Sequence, residues 1–352
     1  MHYDVRHERK ARKENEQRKG KKERREQAMR RFFAKDSFWN TPLEHACEID
    51  PDSTKFTDLM ATDPYGDFFG IAIGRWTIPV YEVDSSTPRI KVHRRVHNEQ
   101  TLRNLSSKWV DCGERFSHGP GFDEGVPIPD DATPDPRRDA HLAVVDWEEM
   151  RAWDMWAARR REDGEWESNT GMTYRLDGPG VFDRELFDAK NGESIHFYGP
   201  SRAAGVPAIA GLIMHDEVAA GRIEHKLAFA CRNNAYQKFV WPATWTDGIH
   251  ESGPPEGCVI RLDPALDLDR FDLSPGARAI ARALQEYGAV DVDTSNGNGV
   301  YAEGLWAKPG KTWDGLLEPL ALKAITMDHF QVLTLGEVIP LGDIREHHKP
   351  QF

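Results

Sequence analysis

From Asp36 onward, the sequence consists of short apolar runs separated by proline and glycine. Most of the runs are rich in β-branched or aromatic residues, and they are too short to form helices of average length. Such runs predict strands, and their number and spacing favour a sandwich or barrel over a β-α-β array. We therefore expect a mainly β fold, an antiparallel β-sandwich or jelly roll with a few short helices. The runs cover 68–73, 78–83, 90–92, 141–146, 151–156, 171–176, 226–232, 259–262, 290–292, 300–303 and 329–335.

Three segments of this β-rich region carry helix signals. Ser274 and Pro275 supply an N-cap and a first-turn proline, an apolar stripe follows, and Gly288 can end the helix. A shorter helix is predicted over 216–220, before Gly221. A third is predicted over part of 316–324, where a proline interrupts the pattern. The Pro/Gly/Asp-rich segment 117–139 is predicted to be a long surface loop, a candidate lid or rim.

Charge divides the chain into unlike parts. Residues 1–35 hold 14 Lys and Arg against 6 Asp and Glu, which leaves 32 against 52 for the rest of a chain whose net charge is −12. The good helix formers in this segment predict a basic helical arm. We expect residues 36–340 to form one domain and 341–352 a polar tail. The arm is either solvated or an attachment element for a protein partner, and a nucleic-acid partner is a third alternative.

No motif in the sequence defines a reaction. The signatures of common serine hydrolases, zincin proteases, P-loop NTPases and dinucleotide-binding dehydrogenases are absent. The four cysteines have no metal-site spacing, so no cofactor or metal is predicted. No stretch is long and apolar enough to span a bilayer, and the N-terminus lacks the apolar segment of a secretory signal. We therefore expect no membrane partner, synthesis in the cytoplasm, and release by lysis if the protein acts outside a cell.

Candidate catalytic residues are histidines and carboxylates near predicted strands. His141 is a candidate general base because Asp139 is close enough in sequence to orient its ring. Asp146 and Asp154 are candidate acids or bases, since two carboxyl groups suffice for glycosidic cleavage. His225 is a candidate second imidazole. For each residue the alternative is a structural role, with the side chain bonded to backbone groups in the core or at a cap.

Tryptophans lie beside acids and arginines in this region, which is typical of a sugar-binding surface. Each of them is alternatively a core residue. Trp241 is the candidate for stacking on a sugar ring, and Arg261 is the candidate clamp for an anionic sugar, unless it pairs with a structural acid. The tryptophans concerned are Trp147, Trp153, Trp156, Trp166, Trp241 and Trp245.

Several phrases of the sequence occur in a familiar order and spacing. They include Phe38-Trp39-Asn40, HxxVVD over 141–146, EVxxGxIxH over 217–225 and VWPA over 240–243. Across about residues 36–335 the chain resembles a family of uncharacterised bacterial proteins, often actinobacterial and usually exported, that are thought to be β-sandwiches. The resemblance implies no particular reaction. It nominates six positions, His141, Asp146, His225, Trp241, Asp247 and Arg261.

The sequence predicts a β-sandwich that binds a bacterial envelope polysaccharide and, in one alternative, cleaves it as a glycoside hydrolase or polysaccharide lyase. The basic arm and the missing export signal depart from the family and suggest mounting on a phage virion. The other alternative is a non-catalytic structural or adhesion protein whose Trp and His residues belong to the core. Convergence of the candidate side chains in one pocket would favour the enzyme.

Overall fold

The computed structural model describes residues 30–95, 118–119, 121–182 and 201–340. Most of the predicted basic arm, residues 1–29, and the predicted polar tail, residues 341–352, lie outside the described residues. The proposed domain boundaries therefore stay predictions. Within the described residues, no helix has the length and apolar character needed to cross a membrane.

The fold is mainly β, as predicted. Three α-helices occur in the described parts of the chain, α1 (Ser53–Ala61), α2 (His215–Ala220) and α3 (Pro275–Glu286). The strands, in chain order, are β1 (Gly70–Ala72), β2 (Ile78–Val83), β3 (Val92–Arg94), β4 (Leu142–Asp146), β5 (Arg151–Trp156), β6 (Arg159–Arg160), β7 (Trp166–Ser168), β8 (Thr170–Arg175), β9 (Leu227–Cys231), β10 (Lys238–Val240), β11 (Val259–Leu262), β12 (Ala289–Thr294), β13 (Gly299–Tyr301), β14 (Glu303–Gly304), β15 (Phe330–Val332) and β16 (Val338–Pro340).

Two large sheets dominate the architecture. The six-stranded sheet has the order β1-β13-β9-β12-β11-β15, and the five-stranded sheet has the order β14-β2-β4-β5-β8. Strands β13 and β14 are almost consecutive in the chain, so the backbone passes directly from the first sheet to the second there. A three-stranded sheet, β3-β7-β6, and the pair β10-β16 complete the described strands.

The prediction of antiparallel sheets is wrong, because the sheets are mixed. Strands β9 and β12 are parallel, and so are β2 and β4, while β5 is antiparallel to both β4 and β8. The small number of predicted helices argues against parallel pairing, because parallel strands are usually joined through a helix. The single helix α3 lies on the path from β9 to β12, and β2 returns to β4 through a long segment without an α-helix in its described part. A crossover needs a dozen or more residues but no particular structure.

The apolar runs predicted strand positions well. The bounds of β2, β5 and β11 coincide with predicted runs, and the other eight runs each overlap a strand. Strands β6, β7, β10 and β16 were not predicted, since they consist of two or three residues and contain charged residues or proline. Strands this short are defined by their partners rather than by their own sequence.

Two of the three predicted helices are confirmed. Helix α3 begins after Ser274, whose hydroxyl accepts the amide of Ala277 at 3.2 Å, and helix α2 ends at Gly221 with φ of 73°. The prediction of helix within 316–324 is wrong, because this segment consists of turns and unclassified backbone around Pro319. Helix α1 was not predicted.

Each large sheet has its own apolar core. Helix α3 covers the six-stranded sheet with Ile280 and Leu284, which belong to the same buried cluster as Phe69 and Phe229. The second cluster contains Leu142 and other residues of the five-stranded sheet, together with Trp166 and segment 122–132. Arg202 and Asp154 are fully buried polar residues that lie outside both clusters.

Three of the four cysteines lie in the described residues. Cys47, Cys231 and Cys258 are all free thiols. Burial raises the pKa of both Cys231 and Cys258 well above the ordinary value, so these thiols are inert core groups rather than nucleophiles.

Candidate active-site cleft

A cleft of about 1220 Å³ opens where the two large sheets meet. One wall comes from β1, β13 and the segment between β12 and β13. The other comes from the residues that precede β4 and those that follow β5. We call this space the inter-sheet cleft. Its polar and aromatic lining residues include Asp63, Tyr65, Arg75, Trp76, Arg95, Arg138, Asp139, His141, Trp156, Asn169, Arg232, Asp293 and Tyr301.

Of the three aspartates that line the inter-sheet cleft, Asp139 and Asp293 come from opposite walls. Asp139 precedes β4, and burial raises its pKa, although Trp156 opposes this by directing its indole N–H at one carboxyl oxygen from 3.4 Å. Asp293 lies in β12 with 18% of its side chain exposed. Burial and the nearby Asp247 raise the pKa of Asp293 well above its ordinary value, and Asp139 adds to the shift. At least one of these acids therefore retains its proton at a pH where an exposed aspartate is ionised.

A fully buried arginine lies directly behind Asp293. The guanidinium of Arg202 approaches Asp293 to 3.9 Å and stacks on the Tyr301 ring with 3.5 Å between the guanidinium carbon and the ring centroid. None of its three side-chain nitrogens has a hydrogen-bond partner among the described residues. A buried guanidinium without hydrogen bonds is costly, so the carboxyl groups around it must compensate for its charge.

Three of the described residues that line the cleft, His141, Asn169 and Asn298, have an unsatisfied polar atom. The Nδ1 atom of His141 and the Oδ1 atom of Asn169 are buried and lack hydrogen-bond partners within the described residues. Burial and the nearby Arg202 lower the pKa of His141 to about 3, so its ring is neutral under physiological conditions. Buried polar atoms in folded proteins are nearly always bonded, and exceptions on a cleft wall are candidates for ligand contact.

A second layer of acids supports Asp293 from behind the cleft. Asp247 accepts the backbone amide of Thr294 at 3.2 Å, and Asp247 and Glu256 interact directly through their carboxyl groups. Burial raises the pKa of Glu256 and Asp291 well above the ordinary range. Asn234 bridges these last two acids by donating to both, at 3.2 and 3.1 Å. The layer excludes water and disfavours additional negative charge beside Asp293.

Asp154 organises the other side of Arg202. Its carboxylate accepts the backbone amides of Ser201 and Ala208 at 2.9 and 2.6 Å and the hydroxyl of Tyr174 at 3.0 Å. Burial raises the pKa of Asp154 to about 7 despite these bonds and the attraction of Arg202. The residue therefore holds the segment that carries Arg202 against β5, and it does not line the cleft.

The structure brings three of the seven predicted site residues together around Arg202 and Asp293. These are His141 in the cleft wall, Asp154 beside Arg202, and Asp247 beside Asp293. The other four lie elsewhere. Asp146, at the far end of β4, caps a turn by accepting the amides of Glu148 and Glu149 at 2.8 and 2.9 Å.

His225, Trp241 and Arg261 have structural contacts outside the inter-sheet cleft. His225 lies 3.1 Å from Glu217 of α2 and 2.7 Å from the carbonyl of Lys226. Trp241 is 55% exposed and packs its ring edge against Phe38. Arg261 donates to the backbone carbonyl of Glu44 at 3.2 Å, a structural contact that differs from the pairing with an acid given as the alternative. Their predicted functional roles stay predictions that no contact in the structure supports.

Sequence reasoning missed Asp293, Arg202, Asn169 and Tyr301. One signal was available for Asp293, because strand β12 places Asp291 and Asp293 in an otherwise apolar run. Acids at such positions are almost never buried without a partner. No comparable signal marked Arg202, which lies in a turn-rich segment beside small residues.

Comparisons of the chain with protein-family models, curated proteins and solved structures return no match. No group of three or more His, Cys, Asp or Glu side chains within the described ranges has a geometry suited to a metal ion. The chemistry of the cleft must therefore be argued from its own residues.

Proposed function

We propose that this protein binds a polysaccharide in the inter-sheet cleft and hydrolyses its glycosidic bonds by acid–base catalysis. The observation that carries the proposal is the pair Asp139 and Asp293, two carboxyl groups on one cleft whose pKa values are raised by burial. Glycoside hydrolysis requires one carboxyl group that holds its proton and one that is ionised. A raised pKa is how such an acid is kept protonated near neutral pH.

We assign the acid role to Asp293 and the base role to Asp139. The pKa of Asp293 is raised well above its ordinary value, by burial and then by Asp247, and the pKa of Asp139 is raised less strongly. Asp293 donates its proton to the glycosidic oxygen as the bond to the anomeric carbon breaks. Asp139 takes a proton from the water that attacks this carbon. The products are a free hydroxyl on one fragment and a reducing end on the other.

The remaining walls of the cleft suit a sugar chain. Trp76 and Tyr65 are 40% and 73% exposed, and aromatic faces stack on the apolar faces of sugars. His141 and Asn169 line the same cleft, and each has a buried polar atom without a partner among the described residues. A volume of about 1220 Å³ exceeds that of a typical small-molecule site and accommodates several sugar units.

Three further parts of the proposal rest on the sequence. We retain a bacterial envelope polysaccharide as the substrate source, residues 1–35 as an attachment element, and a phage virion as the setting. We also propose that the two large sheets pack as a sandwich or jelly roll. The support for this packing is Arg202, which interacts with Asp293 of one large sheet and Asp154 of the other.

The test is the release of reducing ends from purified bacterial envelope polysaccharides. We expect Asp293→Asn and Asp139→Asn to lower the rate at least about a hundredfold while the protein stays folded. Asp146→Asn is the matched control, because the amide oxygen can still accept the two turn amides and the residue lies outside the cleft. Equal activity of all three variants, or a folded wild-type protein that releases no reducing ends, would refute hydrolysis at this site.

A further inference from the structure

Four arginines line the inter-sheet cleft, and most of them lack a carboxylate partner. Arg75, Arg138 and Arg232 are exposed and form no ion pair within 4.0 Å among the described residues. Arg95 is the fourth, and its Nε lies 3.6 Å from Glu167. We call Arg75, Arg138 and Arg232 the arginine rim.

Exposed arginines elsewhere on this molecule commonly have acidic partners. Arg175 pairs with Asp177 at 2.7 Å, and Arg222 pairs with Glu224 at 2.5 Å. The chain as a whole has 58 acidic against 46 basic residues, so acidic partners are plentiful. Arg137, Arg160, Arg270 and Arg282 are also exposed and form no ion pair among the described residues, so the rim is distinguished by the convergence of three such arginines on one cleft.

The acids of the cleft neutralise the rim only in part: Arg138 interacts with Asp139 and lowers the pKa of that acid against the effect of burial. Asp63 directs its carboxylate at the backbone, where it accepts the amides of Tyr65 and Asn298. Asp139 and Asp293 have raised pKa values because they are buried, so they share less than two full negative charges. The cleft is consequently a locally positive region on a negatively charged molecule.

We infer that the substrate of the proposed hydrolase is an anionic polysaccharide, whose carboxylate or phosphate groups bind the arginine rim. The inference rests on the proposed function and adds the substrate class to it. Guanidinium groups form paired hydrogen bonds with carboxylate and phosphate oxygens, which a neutral sugar cannot reproduce. Trp76 follows Arg75 directly and is also exposed, so one turn presents both a stacking surface and a cation.

The arginine rim and the two acids have different roles. The arginines hold charged substituents along the chain, while Asp293 and Asp139 act on the glycosidic bond between sugars. Attraction between the rim and a polyanion also weakens as salt is added, because exposed charges are screened beyond about 8 Å at physiological ionic strength.

The experiment measures binding of the full chain to three soluble polymers by isothermal titration calorimetry. Polygalacturonate supplies carboxylates, a poly(glycerol phosphate) chain supplies phosphates, and dextran is neutral. We expect at least one anionic polymer to bind at least about tenfold more tightly than dextran at low salt. The triple variant Arg75→Gln, Arg138→Gln, Arg232→Gln should lose about tenfold or more of that affinity.

The matched control replaces three arginines outside the cleft, Arg161→Gln, Arg175→Gln and Arg222→Gln. It removes the same number of positive charges, so its affinity should change less than about twofold if the rim itself binds the polymer. If the two triple variants lose the same affinity for the anionic polymer, binding depends on net charge and not on the arginine rim, and the inference is overturned. Tighter binding of duplex DNA than of either anionic polymer, or binding and cleavage of dextran alone, would overturn it as well.

The two proposals fail in different ways. Rim-dependent binding of an anionic polymer without release of reducing ends would leave the substrate class in place and refute hydrolysis. Release of ultraviolet-absorbing unsaturated products would also support the anionic substrate class and refute hydrolysis. Such products form by elimination beside a carboxylate and not by addition of water. Hydrolysis of dextran alone, lost in Asp293→Asn, would support the hydrolase and refute the anionic class.

Discussion

Buried charge is the dominant feature at the scale of single residues. Arg202 has no exposed surface, and its nitrogens have no hydrogen-bond partners in the described parts of the chain. Its guanidinium lies 3.9 Å from Asp293, and it also interacts with Asp154. An arrangement of this kind costs stability compared with an apolar core of the same volume. Such a buried group of charges is typical of functional sites, where it gives neighbouring acids different pKa values.

Glu256 allows a direct test of the buried acid layer through stability. Its pKa is raised well above the ordinary range, first by burial and then by Asp247. Below about pH 4.3, the unfolded-state value, the residue is protonated in both states, and its contribution to stability is complete. As the pH rises towards the folded-state value, the unfolded chain loses its proton more readily, so the free energy of unfolding falls.

Glu256→Gln should remove this pH dependence. We expect the variant to match the wild type near pH 4 and to be more stable near pH 8, by about 1.4 kcal/mol for each unit of the shift. The amide oxygen can still accept from Asn234 and Thr294. Urea unfolding at both pH values measures the difference. The exposed Glu44→Gln serves as control, and a variant less stable than wild type at pH 8 would contradict the interpretation.

At the scale of elements, close contacts between loops and strands fix the cleft geometry. Gly211 has φ of 67°, and a Cβ there would lie 2.5 Å from the backbone nitrogen of Ala228 in β9. Strand β9 leads directly to Arg232 of the rim. The loop can lie this close to the strand because glycine has neither a Cβ nor a penalty for left-handed backbone.

Gly211→Ala should therefore destabilise the protein more than the same change at Gly221. Both glycines have positive φ, but a Cβ at Gly221 meets nothing within 4 Å. We expect Gly221→Ala to cost about 1 kcal/mol for backbone strain, and Gly211→Ala to cost about 3 kcal/mol, because β9 must also move. Thermal unfolding of the two variants measures this difference. Equal costs would show that β9 accommodates the added methyl group.

Individual elements were more predictable from the sequence than their arrangement. Local patterns located β2, β5, β11 and helix α3, because apolar runs, caps and turn residues act over a few positions. Sheet pairing depends on contacts between distant segments, such as the parallel ladder of β1 with β13. No local pattern encodes such a partner, which is why the mixed sheets were missed.

The candidate site was predictable only in part for the same reason. His141 was predicted because Asp139 is close enough in sequence to orient its ring, although no hydrogen bond joins the two side chains in the described residues. Asp154 and Asp247 also converge on the site, although neither lines the cleft. Asp293 and Arg202 become functional candidates only once the two sheets are brought together. Trp153 and Trp166 are buried in the core, which is the alternative given for each tryptophan in the sequence analysis.

At the scale of the whole molecule, the position of the two acids between the sheets determines the expected pH dependence of catalysis. The proposed mechanism requires Asp139 to be ionised and Asp293 to be protonated, so the rate should rise through the first pKa and fall through the second. Both values are raised by burial. The pH optimum should therefore lie above about pH 4, near which ordinary aspartates titrate. The two apparent pKa values read from the profile belong to the pair of acids and not to either residue alone.

The contacts of Asp293 then predict how the alkaline side of this profile moves. Arg202 and the hydroxyl of Tyr301, 3.2 Å from the carboxylate, both lower the pKa of Asp293. Removing either group favours the protonated acid, so Arg202→Met and Tyr301→Phe should shift the alkaline limb to higher pH. Tyr301→Phe keeps the ring and is the milder test of the two if Arg202→Met unfolds. The hydroxyl of Tyr301 donates a hydrogen bond to Asp293, so its loss must act on the pKa of that carboxyl group. If the alkaline limb of the pH–rate profile stays in place or moves to lower pH in a folded Tyr301→Phe variant, Asp293 is not the acid.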